Sequence, residues 1–123
     1  MTSLRRILVV DGEPVAMGAL CDLLSMDGYA AVGLCETDEA VRRLRSEPFD
    51  AIITDVELPG GHGLDVVRTA HQTRPGTPVL VVTGLVNSLA SEAARSMGVR
   101  RVLGKPLRYE TLISELQTCI QGR

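Results

Sequence analysis

Four polar residues stand at the ends of apolar runs. Asp11 follows Ile7-Leu8-Val9-Val10, Asp55 follows Ala51-Ile52-Ile53-Thr54, Thr83 closes Val79-Leu80-Val81-Val82, and Lys105 follows Arg101-Val102-Leu103-Gly104. In an open parallel sheet the carboxyl ends of neighbouring strands converge on one edge, where ligands bind. Runs of this kind would bring two acids, a hydroxyl and an ammonium group into one crevice. Such a set suits an aspartate that accepts a phosphoryl group beside a divalent cation. A carboxylate is a modest nucleophile, so it needs a cation to neutralise the incoming phosphoryl oxygens and an approach in line with the leaving group. Taken alone, Asp55 reads more readily as an aspartate capping the loop after a strand; the other three positions favour the nucleophile.

The elements that must position these residues alternate along the chain, which argues for βα units around a parallel sheet. Strands are expected at Ile7–Val10, Ala30–Cys35, Ala51–Thr54, Val79–Thr83 and Arg101–Gly104. Three of them are continuous apolar runs rather than alternating ones, as strands covered on both faces should be. Pro14 suits a first helical position, Met17, Leu20, Cys21 and Leu24 then recur at helical spacing, and Gly28 ends that helix. Thr37 or Asp38 is placed to cap a second helix through Ser46. Leu64 to Thr73 makes a third, Ser88 opens a fourth closed by Gly98, and Tyr109, Leu112, Ile113 and Leu116 form the stripe of a fifth.

The 123 residues suffice for one domain, so residues 1–123 are expected to form a single body with no output domain. A hydrophobic share of 45% against 23% charged residues is that of a soluble globular protein. No apolar run approaches the roughly 20 residues that cross a bilayer. The stretch behind Arg5-Arg6 is too short for a signal peptide, so a cytoplasmic location without membrane contact is expected. A net charge of -2 offers no basic field for direct nucleic-acid binding, and Arg42, Arg43 and Arg45 read as a solvated helix face. Cys21, Cys35 and Cys119 form neither a zinc motif nor a disulfide framework and are expected as small buried residues. His62 and His71 read as solvated.

Four separated segments agree, in order and spacing, with one known family. They are Ile7 to Asp11 with Gly12-Glu13-Pro14; Asp50 to Asp55 running on to Leu58-Pro59-Gly60 and Gly63; Pro78 to Thr83-Gly84; and Gly104-Lys105-Pro106-Leu107. Through them the chain resembles, over nearly its whole length, the receiver domains of bacterial two-component response regulators, in the stand-alone form of chemotaxis regulators. The resemblance implies an α/β, flavodoxin-like fold: a five-stranded doubly wound parallel sheet of order 2-1-3-4-5 with five helices. It implies that Asp55 is the phosphoacceptor, that Thr83 hydrogen-bonds a phosphoryl oxygen, and that Lys105 pairs with the acceptor carboxylate and then with the phosphoryl group. Mg²⁺ would be held by Asp11, Asp55 and the Glu57 backbone carbonyl, with Glu13 as a further candidate, and Lys105-Pro106 would be a cis bond. The implied partners are a histidine kinase or phosphotransfer protein and a downstream effector. A homodimer through the fourth helix, fifth strand and fifth helix is the other route for the signal; that surface carries Arg95, Arg100, Arg101, Arg108 and Tyr109. Such a domain is no enzyme in the ordinary sense, since it catalyses only its own phosphoryl transfer and dephosphorylation.

The sequence departs from the family's pattern at two places. Gly12 stands where a second acid usually helps to hold the metal, which implies weakened Mg²⁺ affinity, and Glu13 reads as well as an acid complementing the helix dipole. Val102 stands where an aromatic residue usually swings inward on modification, so a switch must work through the loop and helix after Thr83. These departures motivate an alternative, a receiver-like interaction module that does not depend on phosphorylation. A small α/β enzyme or flavin carrier of similar fold is a third reading. The stretch Asp55-Val56-Glu57 lacks the second aspartate of aspartyl phosphatases, and the loop after the first strand lacks a phosphate cradle.

Overall fold

The computed structural model of the chain describes residues 4–58 and 63–121. Strands and helices alternate throughout: β1 (Arg6–Val10), α1 (Pro14–Met26), β2 (Ala30–Leu34), α2 (Thr37–Ser46), β3 (Ala51–Thr54), α3 (Leu64–Thr73), β4 (Val79–Thr83), α4 (Leu89–Ser96), β5 (Arg101–Gly104) and α5 (Tyr109–Gln121). The strands form one parallel sheet in the order β2-β1-β3-β4-β5. This is the doubly wound arrangement and strand order that the resemblance implies. Among the described residues no helix is long and apolar enough to cross a membrane.

Alternation of side chains along the strands sends successive residues to opposite faces of the sheet. Ile7 and Val9 face α1 and α5, where Leu24, Leu112, Leu116, Cys119 and Ile120 close one core. Leu8 and Val10 face the other side, closed by Ala40 and Leu44 of α2, Val66, Val67 and Ala70 of α3, and Ala94 of α4. Covered twice, the central strands β1, β3 and β4 are almost wholly buried, whereas the edge strands β2 and β5 are partly open. Continuous apolar sequence thus marks the centre of the sheet.

The boundaries differ from expectation in small ways that have local causes. β1 begins one residue earlier, because Arg6 pairs with Ala30 while its guanidinium lies over the Phe49 ring and reaches Glu47. β2 stops at Leu34, whose carbonyl accepts the Asp11 N–H at 3.1 Å, so Cys35 falls outside the strand. Neither Thr37 nor Asp38 caps α2: Glu36 holds that position without a side-chain bond, and the buried Thr37 hydroxyl has no hydrogen-bond partner. Ser88 does cap α4, accepting the Ser91 N–H. Of the cysteines only Cys119 is buried; Cys21 and Cys35 are half-buried. Arg42 and Arg45 are exposed as expected, but Arg43 is drawn down by Glu47 at 2.5 Å. His71 is exposed, and His62, with Pro59 and Gly60, lies outside the described residues.

Two glycines show where the backbone leaves no room and where it does. A Cβ on Gly63, at the entry to α3, would lie 2.2 Å from the Val56 carbonyl oxygen and 2.5 Å from its Cα. The loop after β3 therefore closes on its own backbone. Gly18 sits inside α1 with nothing within 4 Å of where a Cβ would stand. Gly63→Ala is expected to lower stability by about 1–3 kcal/mol, the usual cost of forcing extra volume into packed structure. Gly18→Ala is expected to raise it by about 0.5–1 kcal/mol, the helix-interior difference between the two residues. Urea unfolding of both variants checks the pair; similar shifts would mean that the loop yields to the added carbon.

Candidate functional site

Sheet register decides which side chains can meet. Val10 of β1 is level with Thr54 of β3, so Asp11 and Asp55, one residue further on, leave the sheet side by side, and the Asp55 N–H donates to the Val10 carbonyl at 2.9 Å. Thr83 of β4 is level with Gly104 of β5, and the Lys105 N–H donates to the Thr83 carbonyl at 2.9 Å. Lys105 then reaches back past β4. Its Nζ lies 2.8 Å from Asp11 Oδ2 and 2.9 Å from Asp55 Oδ2. The peptide bond that follows, Lys105-Pro106, is cis.

Each carboxylate uses its second oxygen to hold its own loop. Asp11 Oδ1 accepts the Glu13 N–H at 3.0 Å, and Asp55 Oδ1 accepts the Glu57 N–H at 2.9 Å. These bonds, to the residue two further on, are turns that compete with regular structure and end the strand. The Asp55 side chain is 8% exposed, which would be costly for a charge without partners, but both of its oxygens are satisfied. The carboxylates of Glu13 and Glu57 stand outside the pair and both residues are exposed. Glu13 is the N-cap of α1 rather than a residue of its first turn, and its side chain makes no capping bond.

Among the described residues no three His, Cys, Asp or Glu side chains gather to hold a metal ion. The donors that do converge, the carboxylates of Asp11 and Asp55, are hard oxygens. Mg²⁺ is ordinarily bound by one or two carboxylates with water and phosphate completing its shell. The donor set fits that ion.

Thr83 is buried, and its Oγ1 accepts the Leu85 N–H at 3.3 Å. Its hydroxyl proton has no acceptor among the described residues. Gly84 is exposed, with nothing within 4 Å of where a Cβ would stand. Val102 is half-buried against the α2–α3–α4 core. Tyr109, expected on the surface of α4, β5 and α5, turns instead towards α1: its hydroxyl donates to Asp27 Oδ2 at 2.6 Å, and burial together with that carboxylate pushes the phenol up. Arg95, Arg100, Arg101 and Arg108 are exposed, with Arg101 paired to Glu115 at 3.1 Å. From Asp11 and Lys105 a cleft of about 550 Å³ runs between α1 and α5 over Leu20, Leu23 and Leu112.

Sequence reasoning missed Thr54 and Ser91. The Thr54 hydroxyl, fully buried, donates to the Asp55 carbonyl at 2.9 Å and so fixes the peptide that follows the carboxylate. Its only signal is a hydroxyl in an otherwise aliphatic strand. A plainer signal was the composition: Lys105 is the only lysine among thirteen basic residues.

Burial opposes the charge on Lys105, but the hydrogen bonds it donates to Asp11 and Asp55 outweigh it and hold the ammonium above the usual lysine value of 10.5. A raised folded-state value means that this contribution to stability is complete below pH 10.5 and is lost as the pH rises through the folded value. The difference in unfolding free energy between the wild type and Lys105→Met is therefore expected to stay level near neutral pH and to shrink above 10.5. Urea unfolding of both proteins at a series of alkaline pH values reads it. A difference that stays level to the highest pH would show that the ammonium gains nothing from the two carboxylates.

The family model for the response regulator receiver domain matches residues 7–117. A response regulator receiver protein of Anaeromyxobacter sp. is 33% identical over 111 residues, covering 89% of this chain and 46% of that protein. The chain spans about half the length of the curated relatives it matches first. Among solved structures, a CheY-like receiver domain protein of Methanospirillum hungatei superposes with a TM-score of 0.91 at 26% identity, over 98% of this chain and 96% of that one. A response regulator of Burkholderia pseudomallei, solved with a phosphorylated aspartic acid, a calcium ion and citrate, gives 0.85 at 29% identity over 96% and 69%. The receiver domain of a sensor histidine kinase of Pseudomonas aeruginosa, with magnesium coordinated in its active-site cleft, gives 0.87 at 25% identity over 97% and 99%. Fold, strand order and the matched stretch agree, and the chain belongs to the response regulator receiver domain family of two-component systems.

Proposed function

We propose that this receiver domain is a phosphoacceptor in a two-component phosphorelay, taking a phosphoryl group from the phosphohistidine of a histidine kinase or phosphotransfer protein onto Asp55. The observation that carries the reading is the single ammonium of Lys105 placed between the Asp11 and Asp55 carboxylates at the carboxyl edge of the sheet. An oxygen of the Asp55 carboxylate forms the new O–P bond as the donor's N–P bond breaks, and the departing imidazole nitrogen keeps the electron pair and is protonated from water. Asp11, Asp55 and the Glu57 carbonyl would hold Mg²⁺, which when bound would supply positive charge for the phosphoryl oxygens. Lys105, already bonded to Asp55, keeps a point charge beside the transferred group. The unassigned proton of the Thr83 hydroxyl is free for a phosphoryl oxygen. Solved relatives with a phosphorylated aspartic acid or with magnesium in the cleft support this reading.

The domain works in the cytoplasm, catalyses no reaction but its own modification and its reversal, and passes the signal through the surface of α4, β5 and α5 to an effector protein or a second copy. Gly12 favours a second reading, an interaction module that acts unmodified, because it leaves Mg²⁺ one carboxylate fewer than the family's usual pair on this loop. Intact mass after incubation with acetyl phosphate, with and without Mg²⁺, separates the two. The phosphoacceptor reading expects a Mg²⁺-dependent gain of one phosphoryl group that Asp55→Asn abolishes; no gain at millimolar Mg²⁺ establishes the unmodified module.

A further inference from the structure

The opposite edge of the sheet, where the strands begin, carries arginines that the acceptor site does not use. Arg6 is fixed there: its Nη1 donates to the Pro48 carbonyl at 2.8 Å, its Nη2 lies 2.5 Å from Glu47, and its guanidinium stands 4.7 Å from the centroid of the Phe49 ring. Glu47 is shared with Arg43 at 2.5 Å, and Asp50 accepts the Arg6 backbone N–H at 2.7 Å with Arg5 at 3.8 Å. Arg74, the C-cap residue of α3, faces this group from the start of β4. Its carbonyl accepts the Thr77 N–H at 2.9 Å, and the Thr77 hydroxyl donates to the Phe49 carbonyl at 3.3 Å, so the turn through Pro75-Gly76 is tied to the start of β3. Among the described residues the Arg74 side chain has no carboxylate partner, and its Nε is buried without a hydrogen bond. A groove of about 390 Å³ is lined by the two arginines with Leu4, Pro48, Asp50 and Thr77.

We propose that this groove binds a small organic oxyanion, a phosphate monoester or a carboxylate, through the Arg74 guanidinium; the site is independent of the phosphoacceptor reading. A guanidinium presents planar, forked donors that match the paired oxygens of either group. Arg6 uses both of its Nη groups on Pro48 and Glu47 and so contributes a fixed positive field, whereas the fork of Arg74 is unengaged. Arg74 also complements the dipole at the end of α3, but its side chain bonds none of the carbonyls there. A second cavity beside it, about 30 Å³ and lined by Val67 and Met97, has room for a water that takes the Nε–H but not for an organic anion. Asp50 would repel an anion, yet it is offset by Arg5 and the Arg6 N–H, and Arg5, Arg6, Arg43 and Arg74 outnumber Glu47 and Asp50 in a chain whose net charge is -2. The groove lies at the lower end of the roughly 300–1,000 Å³ of small-molecule sites, so the ligand is compact, with its apolar part against Leu4 and Pro48.

The test titrates the isotope-labelled protein with inorganic phosphate and, separately, with acetate, without Mg²⁺ and with sodium chloride at matched ionic strength as the control. The Arg74 Nε–H and Thr77 amide signals are expected to move saturably. Saturation by phosphate alone assigns the site to phosphate monoesters, by acetate alone to carboxylates, and by both to oxyanions of either kind. Arg74→Gln, which takes no bonded side chain from the fold, is expected to weaken binding read at Thr77 by roughly tenfold or more, the usual effect of losing a hydrogen bond from a charged group. Arg74→Lys, which keeps the charge without the fork, is expected to fall between the two. Arg100→Gln, just ahead of β5 on the same edge but outside the groove, is expected to bind as the wild type does. Shifts no different from those in chloride, or binding that Arg74→Gln leaves at full strength, would overturn the site. Saturable shifts confined to Thr83 and Lys105 at the acceptor edge would overturn it as well.

Discussion

One positive charge shared by two negative ones governs the site edge of this domain. Lys105 lies beyond β5, and β4 stands between it and the strands that carry Asp55 and Asp11, yet its ammonium bonds both carboxylates. The bond ties the ends of β1, β3 and β5 into one polar cluster. Its strength follows from partial burial. Removing one partner of a fully buried pair costs about 3–5 kcal/mol, and an exposed pair contributes about 0–1 kcal/mol. With 29% of its side chain exposed, Lys105 belongs between these limits, enough to set the geometry of the loops without carrying the stability of the domain. The stability comes from the two apolar cores on the faces of the sheet.

The same arrangement explains why the loops can be polar while the strands beneath them are not. Each acid bends its own chain by accepting the N–H two residues on, and each loop then passes directly into a helix or a close backbone contact. Gly63 against the Val56 backbone and Gly104 against the Val86 side chain are two places where an added side chain would meet that closeness. The strands can therefore end level with one another, and register alone delivers Asp11 beside Asp55 and Lys105 beside Thr83.

Legibility in the sequence followed the range of the interaction. The strands and helices were readable because burial on two faces writes continuous apolar runs, and because Pro14, Gly28 and Gly98 punctuate them; both glycines adopt positive φ at helix ends. Asp11, Asp55, Thr83 and Lys105 were readable because each ends such a run. What stayed hidden depends on three-dimensional pairing. Nothing in the residue types tells that Tyr109 turns to Asp27 of α1, that Arg43 rather than Arg42 or Arg45 meets Glu47, or that Thr37 begins α2 without capping it. Ser91 was invisible for a related reason: a serine among alanines in a short helix looks like a surface residue until its hydroxyl is found buried on a carbonyl.

Gly12 has two opposing electrostatic effects. The resting cluster of two carboxylates and one ammonium carries a formal charge of about -1, and a third carboxylate on the β1–α1 loop would raise it to about -2. More negative charge attracts a divalent cation, so on the proposed function the glycine would weaken the hold on Mg²⁺. A phosphoryl group itself brings roughly -1.5 to -2 charges at neutral pH, and in the proposed transfer it would enter a cluster with one carboxylate fewer to repel it. Water can occupy the space an acid would take and complete a hydrated Mg²⁺ shell, which this ion surrenders reluctantly in any case. On the proposed function, Gly12 would therefore trade metal affinity against repulsion of the incoming anion. Lys105, with no other lysine in the chain to share its task, becomes the fixed share of the positive charge in the resting site.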